Sequence, residues 1–298
     1  MTVLLFGASG YLGRAADVAL SERGARVVRV GRTAPREDGW VRHDLVHGST
    51  DELLGLLRSA EPDVVVNCTG LLDGPAAELV TANVTPTAAL LDAIPQAVPR
   101  ARLVVLGSAA EYGKVREGDA VAEDAATNPV SAYGITKLAS TLLVRDAVAA
   151  GRLDAVALRV FNPIGPGLPA GTVLGRAAER MRAAVREGSD VTLGPLGSYR
   201  DFVDVTDVAA AIADAALAPE VREPVLNVGS GQAVAVRQVV AMLAEVAGFR
   251  GEVRETAPVQ SRSGAVTWIA ADTTLARRAL GWSPHHDLTA SVRALWQN

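Results

Sequence analysis

The 298 residues are 49% hydrophobic, 21% charged and 4% aromatic, with a formal net charge of -4 at pH 7. Such a chain is long enough for one large α/β unit, or a large one with a small companion. Its charge offers nucleic acid no basic field, and no run of about 18 uncharged apolar residues suggests a membrane span. The single cysteine, Cys68, has no partner for an internal disulfide, no Cys/His cluster stands at metal-ligand spacing, and His43/His47 and His285/His286 read as surface loop residues. No metal site is expected.

In chain order, Thr2 to Phe6 reads as a buried strand. It lacks a basic leader and is cut short by Gly7, so a cytoplasmic location is expected. Gly7-Ala8-Ser9-Gly10-Tyr11-Leu12-Gly13 follows and runs into an Ala/Leu-rich helix ending near Arg23. Strand, glycine turn and helix together predict a dinucleotide site. The first glycine permits the turn, the second admits a pyrophosphate to the helix N-terminus, and the third allows close helix–strand packing. Ser9, Tyr11 and Leu12 lie in that cradle. The spacing is G-x-x-G-x-x-G, not the better-known G-x-G-x-x-G.

The second strand, Ala25 to Val30, ends in Gly31-Arg32-Thr33, with no acidic residue to take a ribose 2′-hydroxyl. A guanidinium at Arg32, helped by Thr33 and Arg36, suits a 2′-phosphate, which favours NADP(H) over NAD. Val41 to His43 gives a short strand before Asp44-Leu45, where a carboxylate suits the adenine amino group.

Asp63 to Asn67 is a continuous apolar strand capped by Cys68-Thr69-Gly70, a small-residue bend expected over the cofactor. One helix is expected from Ala76 to Ile94, carrying Asn83. The strand Arg102 to Leu106 then leads into Gly107-Ser108-Ala109-Ala110-Glu111-Tyr112-Gly113. Ser108 thus falls at the carboxyl end of a parallel strand, the edge where open α/β sheets place ligands. Further on, Tyr133 and Lys137 stand one helical turn apart on one face. Lys114 and Lys137 are the only lysines among 29 basic residues, which singles out position 137 for a compact, pKa-responsive ammonium. Spacing alone favours an exposed pair on a solvated helix face.

The combination of Gly7, Gly10, Gly13, Asp44, Asn67, Asn83, Ser108 and Tyr133-x-x-x-Lys137 resembles the extended short-chain dehydrogenase/reductases, the NAD-dependent epimerase/dehydratase family acting on nucleotide sugars. Residues 159–167, 200–208, 227–231 and 280–284 extend the resemblance over nearly the whole chain. It implies Tyr133 as general acid/base, with Lys137 and the nicotinamide charge favouring its phenolate and Lys137 also holding the nicotinamide ribose. It implies Ser108 at the substrate oxygen, Asn83 in a proton relay, and Asn162 and Arg200 on the substrate diphosphate. Arg262 is a further diphosphate candidate whose surroundings match only loosely.

Family dehydratases carry an Asp-Glu pair where this chain has Ala109 and Ala110, so these two line the substrate without the groups needed to eliminate water. Glu111, one place on, is expected to face a turn. A ketoreductase or an epimerase retaining NAD remains. The Gly31-Arg32 signal favours the reductase, and residues 107–113 resemble reductases of 6-deoxy-4-keto sugar nucleotides. A non-catalytic dinucleotide sensor is the alternative from another class, opposed by the joint presence of Ser108, Tyr133 and Lys137.

The resemblance implies an α/β fold: a Rossmann-type doubly wound parallel sheet over residues 1–164, to which 200–228 returns. A smaller substrate-binding part from 165–199 and 229–298 is expected to leave the site in the cleft between them. Leu79 to Ile94 and Ala139 to Ala150 are apolar over much of their circumference, as a four-helix homodimer interface requires and as burial within one chain explains nearly as well.

Overall fold

Strand β1 (Thr2–Phe6) has no exposed apolar face: Val3, Leu4, Leu5 and Phe6 are at most 1% exposed. A strand reads this way when helices cover both sides of a parallel sheet. In the computed structural model, which describes residues 1–33, 38–256 and 266–297, that sheet has seven strands. Besides β1 they are β2 (Arg26–Gly31), β3 (Trp40–Arg42), β4 (Val64–Asn67), β5 (Arg102–Ser108), β6 (Ala155–Val160) and a late strand at Val225–Val228. Their spatial order is β3-β2-β1-β4-β5-β6 and then Val225–Val228, and every pairing is parallel. The order reverses between β1 and β4, which opens a crevice at the carboxyl edge.

Each face of the sheet buries its own apolar cluster. On one side Val3 and Leu5 pack with Ala16 and Leu20 of α1 (Tyr11–Glu22) and with Val208 and Ile212 of a later helix at Val205–Leu217. On the other, Leu4 and Phe6 pack with Leu57 of α2 (Thr50–Ala60), Leu90 and Ile94 of α4 (Thr85–Ala97), and Val144 of α5 (Ala132–Ala149).

The helix expected from Ala76 to Ile94 is two helices. α3 (Ala76–Asn83) stops at Val84, which serves as the N-cap of α4. Pro86 lies in the first turn of α4 and has no N–H to donate back into α3, so the chain begins a new helix there.

Beyond β6 the chain builds the smaller part from β7 (Asn162–Ile164), α6 (Val173–Glu187), β8 (Val191–Leu193) and β9 (Tyr199–Asp204). It returns to the large sheet through α7 (Val205–Leu217) and β10 (Val225–Val228), so β9, at the start of the expected return, belongs to the small sheet. β11 (Ala233–Ala235), α8 (Val236–Val246), β12 (Val253–Glu255), α9 (Thr274–Leu280) and α10 (Leu288–Gln297) complete the described chain. β7 and β11 flank β9, β8 pairs β12, and Ile164, Met181, Leu243 and Leu295 share a separate core. Among the described residues no helix is long and apolar enough to cross a membrane.

Candidate active site

The glycine turn joins β1 to α1 at the centre of the carboxyl edge. Gly7 adopts φ 74, and a Cβ there would lie 2.9 Å from the carbonyl carbon of Cys68. A Cβ on Gly13 would lie 2.0 Å from the Gly7 oxygen, so only glycine lets the helix start this close to the turn. Gly10 is the N-cap of α1 and no side chain caps the helix. Its first-turn N–H groups therefore face the crevice with the partial positive charge that suits a pyrophosphate. Arg14 braces the turn by donating to the Ser9 carbonyl across 2.6 Å. The hydroxyl of Tyr11 is buried without a partner among the described residues, and burial, aided by Asp204, raises its pKa.

Around this cradle the other predicted cofactor contacts take definite places. Arg32 is exposed at the end of β2; Arg36 lies outside the described residues. Asp44 is engaged in its own turn, accepting from the N–H groups of Val46 (2.9 Å) and His47 (3.3 Å). Burial disfavours its charge, but hydrogen bonds from Val46 and His47 hold its pKa below the usual carboxylate value. Leu45 beside it is buried. Burial pushes the Cys68 thiol up to about 12 against the opposing charge of Lys137. Thr69 bonds twice to Asn67 Oδ1, at 3.0 Å through its N–H and 2.6 Å through its hydroxyl.

Asn83 is buried at the end of α3. Its Oδ1 accepts from Leu71 N–H (2.7 Å), and its Nδ2 donates to the Leu71 carbonyl and to Thr136 Oγ1, each at 3.0 Å. These bonds clamp the loop after β4 to α5.

Ser108 ends β5 and caps a 3-10 turn, Ala109–Glu111, with its hydroxyl accepting from the Ala110 N–H at 3.2 Å. Ala109 is buried and Ala110 half-buried. Helix α5 starts directly against that turn: a Cβ on Gly134 would lie 2.5 Å from the Ala110 carbonyl oxygen. This contact brings Tyr133, next to Gly134, to the Ser108–Ala110 segment. One turn later Lys137 is 7% exposed and donates from Nζ to the Leu106 carbonyl at 2.8 Å. Burial lowers its pKa, and the charge of Glu111 works against that shift.

Of the predicted diphosphate contacts, Asn162 and Arg200 lie on the small sheet. Asn162 Nδ2 donates to the Asp201 carbonyl at 2.9 Å. Arg200 is 7% exposed, with Nη1 on the Tyr199 carbonyl and Nη2 on that of Val266, both at 2.8 Å; burial lowers its pKa to about 10, which keeps it cationic at neutral pH. Arg262 lies outside the described residues.

The sequence reading missed a buried polar layer beneath the site. Glu111, expected to face a turn, is 0% exposed and forms an ion pair with Arg159 (2.7 Å), itself 1% exposed. Its side chain curls back to cap the strand end, which draws it inward. Arg159 donates on to Tyr112 Oη (2.9 Å), which donates to Asn227 Oδ1 (2.6 Å). The available signal was an arginine inside the otherwise apolar strand Ala155–Val160, where a buried charge demands a partner. Asp201 was missed as well. It gathers the N–H groups of Ser230, Gly231 and Ala271 at 2.6–2.9 Å and so ties the segment after β10 to β9.

The model of the NAD dependent epimerase/dehydratase family matches residues 3–229. The chain belongs to that family. Relatives of this family member agree along its whole length. It is 38% identical to a dTDP-6-deoxy-L-talose 4-dehydrogenase (NAD(P)(+)) of Kitasatospora kifunensis, over 99% of this chain and 94% of that one. It is 31% identical to a UDP-glucose 4-epimerase of Corynebacterium glutamicum, over 99% and 95%. Among solved structures, RMD from Pseudomonas aeruginosa complexed with NADPH superposes with a TM-score of 0.83 at 25% identity, covering 99% of this chain and 96% of that one. MoeE5 in complex with UDP-glucose and NAD gives 0.85 at 29% identity, over 100% and 98%. The family member is thus an extended short-chain dehydrogenase/reductase of Rossmann type.

Proposed function

We propose that this enzyme reduces the keto group of a nucleotide-linked sugar with NADPH, a dTDP-linked 4-keto-6-deoxyhexose above all, with Tyr133 as proton donor. The observation that carries the reading is the burial of Lys137 one turn from Tyr133, its ammonium held on Leu106 at the same strand that ends in Ser108. An ordinary phenol titrates at about 10, and a fixed cation nearby favours its ionised form. Ser108 holds the carbonyl oxygen and Tyr133 delivers a proton to it; Lys137 keeps the phenolate left behind from costing a full unshielded charge.

A nicotinamide dinucleotide, when bound, would supply the hydride. The backbone of Gly7, Ser9, Gly10, Tyr11, Leu12 and Gly13 would hold its pyrophosphate, Asp44 and Leu45 its adenine, and Cys68, Thr69 and Gly70 would cover it. Arg32 takes the 2′-phosphate, because it is an exposed cation where an NAD site would place an acid. Asn83 steadies the loop over the cofactor and joins the proton relay to water. Asn162, Arg200 and Arg262 receive the substrate diphosphate. Ala109 and Ala110 present methyl groups where elimination of water needs carboxyls, and Glu111 is fully engaged below them. The relative that acts on a dTDP-6-deoxy sugar at position 4 supports the choice of substrate.

The UDP-glucose 4-epimerase relative and the NAD-bearing structure favour a second reading, an epimerase that retains NAD. One experiment separates them: purified protein is mixed with NADPH and a dTDP-linked 4-keto-6-deoxyhexose while the reduced-nicotinamide absorbance is followed. Stoichiometric loss of absorbance supports the reductase. No loss above background, together with tightly bound NAD in the purified protein, sinks it in favour of the epimerase. We further propose that the enzyme is cytoplasmic and a homodimer paired through α3 and α5.

A further inference from the structure

Glu111 has no place in the chemistry above, yet it is the most enclosed charged group near the reacting residues. Its Oε1 accepts from the Ser108 N–H at 2.8 Å and from Thr141 Oγ1 at 3.0 Å, and its Oε2 accepts from Arg159 Nε at 2.7 Å. Thr141 stands one turn beyond Lys137 and two beyond Tyr133, so the three form one stripe along α5. Three elements therefore meet on one carboxylate: the end of β5, the helix carrying the proton-transfer pair, and β6. A Cβ at Gly107 would lie 2.6 Å from Oε1, so the strand leaves room for this arrangement.

We propose that Glu111 is the positioning residue of the active site, its carboxylate holding the backbone of Ser108 in register with the Tyr133–Lys137–Thr141 stripe. The proposal rests on Ser108, Tyr133 and Lys137 being the reacting groups, and not on the identity of the sugar. The carboxylate cannot swing away. Arg159 grips it from below and is itself fixed by Tyr112 Oη (2.9 Å) and the Glu123 carbonyl (3.0 Å). Charge-assisted hydrogen bonds in such an enclosed layer hold geometry closely, because leaving one unmade strands a buried charge.

Glu111 also acts on Lys137 through space. Burial pulls the pKa of that ammonium down, and the Glu111 charge pushes it back up. The Cys68 thiol from the loop after β4 also acts on Lys137, and the neutral amide of Asn83 from α3 approaches it at Gly70, where a Cβ would lie 3.0 Å from Asn83 Oδ1 and 3.4 Å from Lys137 Nζ. Arg159 and Tyr112 face Glu111 itself. Removal of the carboxylate charge should therefore move the Lys137 titration and weaken the hold on the Ser108 N–H together, an outcome that a packing role alone does not give.

The lysine content makes this measurable without any substrate. Protein labelled with 13C-lysine contains two lysines, Lys114 and Lys137, and the variant Lys114→Arg assigns the signals. Glu111→Gln keeps an acceptor for the Ser108 N–H and removes the charge. Lys137 should then titrate below wild type, because the Glu111 charge that opposes the effect of burial is gone, and kcat for keto-sugar reduction should fall roughly tenfold or more with KM changed less than about threefold. Thr141→Val should lower kcat and leave the Lys137 titration in place. Should Glu111→Gln fail to fold, Glu111→Gln/Arg159→Met also removes the guanidinium that would be stranded and carries the same expectation for kcat. An unmoved Lys137 titration, or a kcat within about twofold of wild type, overturns the proposal. If wild-type protein does not turn over the keto-sugar, the reductase reading fails and the lysine titration still decides the role of Glu111.

Discussion

Lys137 donates across 2.8 Å to the carbonyl of Leu106, so the helix that begins with Tyr133 is fastened to the strand that ends in Ser108 by its own ammonium. The group proposed to tune the phenol is also a structural rivet. Lys137→Met should cost both activity and stability, whereas Tyr133→Phe should remove the proton donor alone. For Tyr133→Phe we expect NADPH affinity within about threefold of wild type and kcat lower by roughly 10²–10⁴, read by fluorescence titration of the cofactor and by turnover. Retained turnover in Tyr133→Phe would refute its role.

Cofactor choice is expected to rest on Arg32, exposed where β2 ends. A guanidinium hydrogen bond to phosphate contributes about 1.5–3 kcal/mol. Arg32→Ser should accordingly raise KM for NADPH by roughly ten- to a hundredfold and leave that for NADH within about threefold. Steady-state kinetics with both cofactors decides it, and a parallel change in the two would show that Arg32 points to water.

A pH dependence is built into the junction of α7 with the segment before α10. His286 Nδ1 lies 2.8 Å from Asp207 Oδ1, and Oδ2 of the same carboxylate accepts from the backbone N–H groups of His285 and His286. The hydrogen bond to Asp207 raises the His286 pKa, with burial opposing. A folded-state value above the unfolded one contributes stability that is complete below about 6.5 and is lost as pH rises through the raised value. The imidazole side chain is 44% exposed, so solvent screens the pair and the effect is small. Thermal melts should show His286→Gln less stable than wild type at about pH 5.5, with the gap closing by about pH 9. A gap of equal size at both ends would assign the loss to packing.

The proposed dimer makes a prediction about mass. The interior sides of α3 and α4 are taken up within the chain, with Leu79, Leu90, Leu91 and Ile94 all buried. What remains outward are Val80 of α3, 49% exposed, and Ile135 and Leu142 of α5, 56% and 46% exposed and two turns apart on one face. Light scattering should give a mass twice that of the 30.9 kDa chain, and Val80→Arg/Leu142→Arg should halve it. A wild-type mass of a single chain would dispose of the dimer.

Much of the fold was legible because its signals are local. A strand, three glycines and an Ala/Leu-rich helix announce the first β–α unit, and the apolar runs at Val64–Val66 and Leu103–Leu106 announce parallel strands buried on both faces. The break at Val84 was equally present in the sequence as Pro86, but the apolar, alanine-rich run on either side obscured it. Asp44 was legible as a carboxylate after a strand end, and Asn83 as a polar group within an apolar helix, given its role by the family resemblance. Their hydrogen bonds to Val46, His47, Leu71 and Thr136 were not, since partner choice depends on how loops close.

By itself the sequence determined the inventory: a glycine turn at a helix N-terminus, a serine at a strand end, a tyrosine and a scarce lysine one turn apart. Each is set by neighbours within a few residues, where chain geometry is fixed by short-range sterics and hydrogen bonding. Tertiary structure decided what surrounds them. Glu111, in its 3-10 turn, became the buried partner of Arg159, 48 positions away, and of Thr141, 30 away. Only the packing of α5 and β6 against the end of β5 excludes solvent there, and it is that exclusion which makes a carboxylate seek those partners.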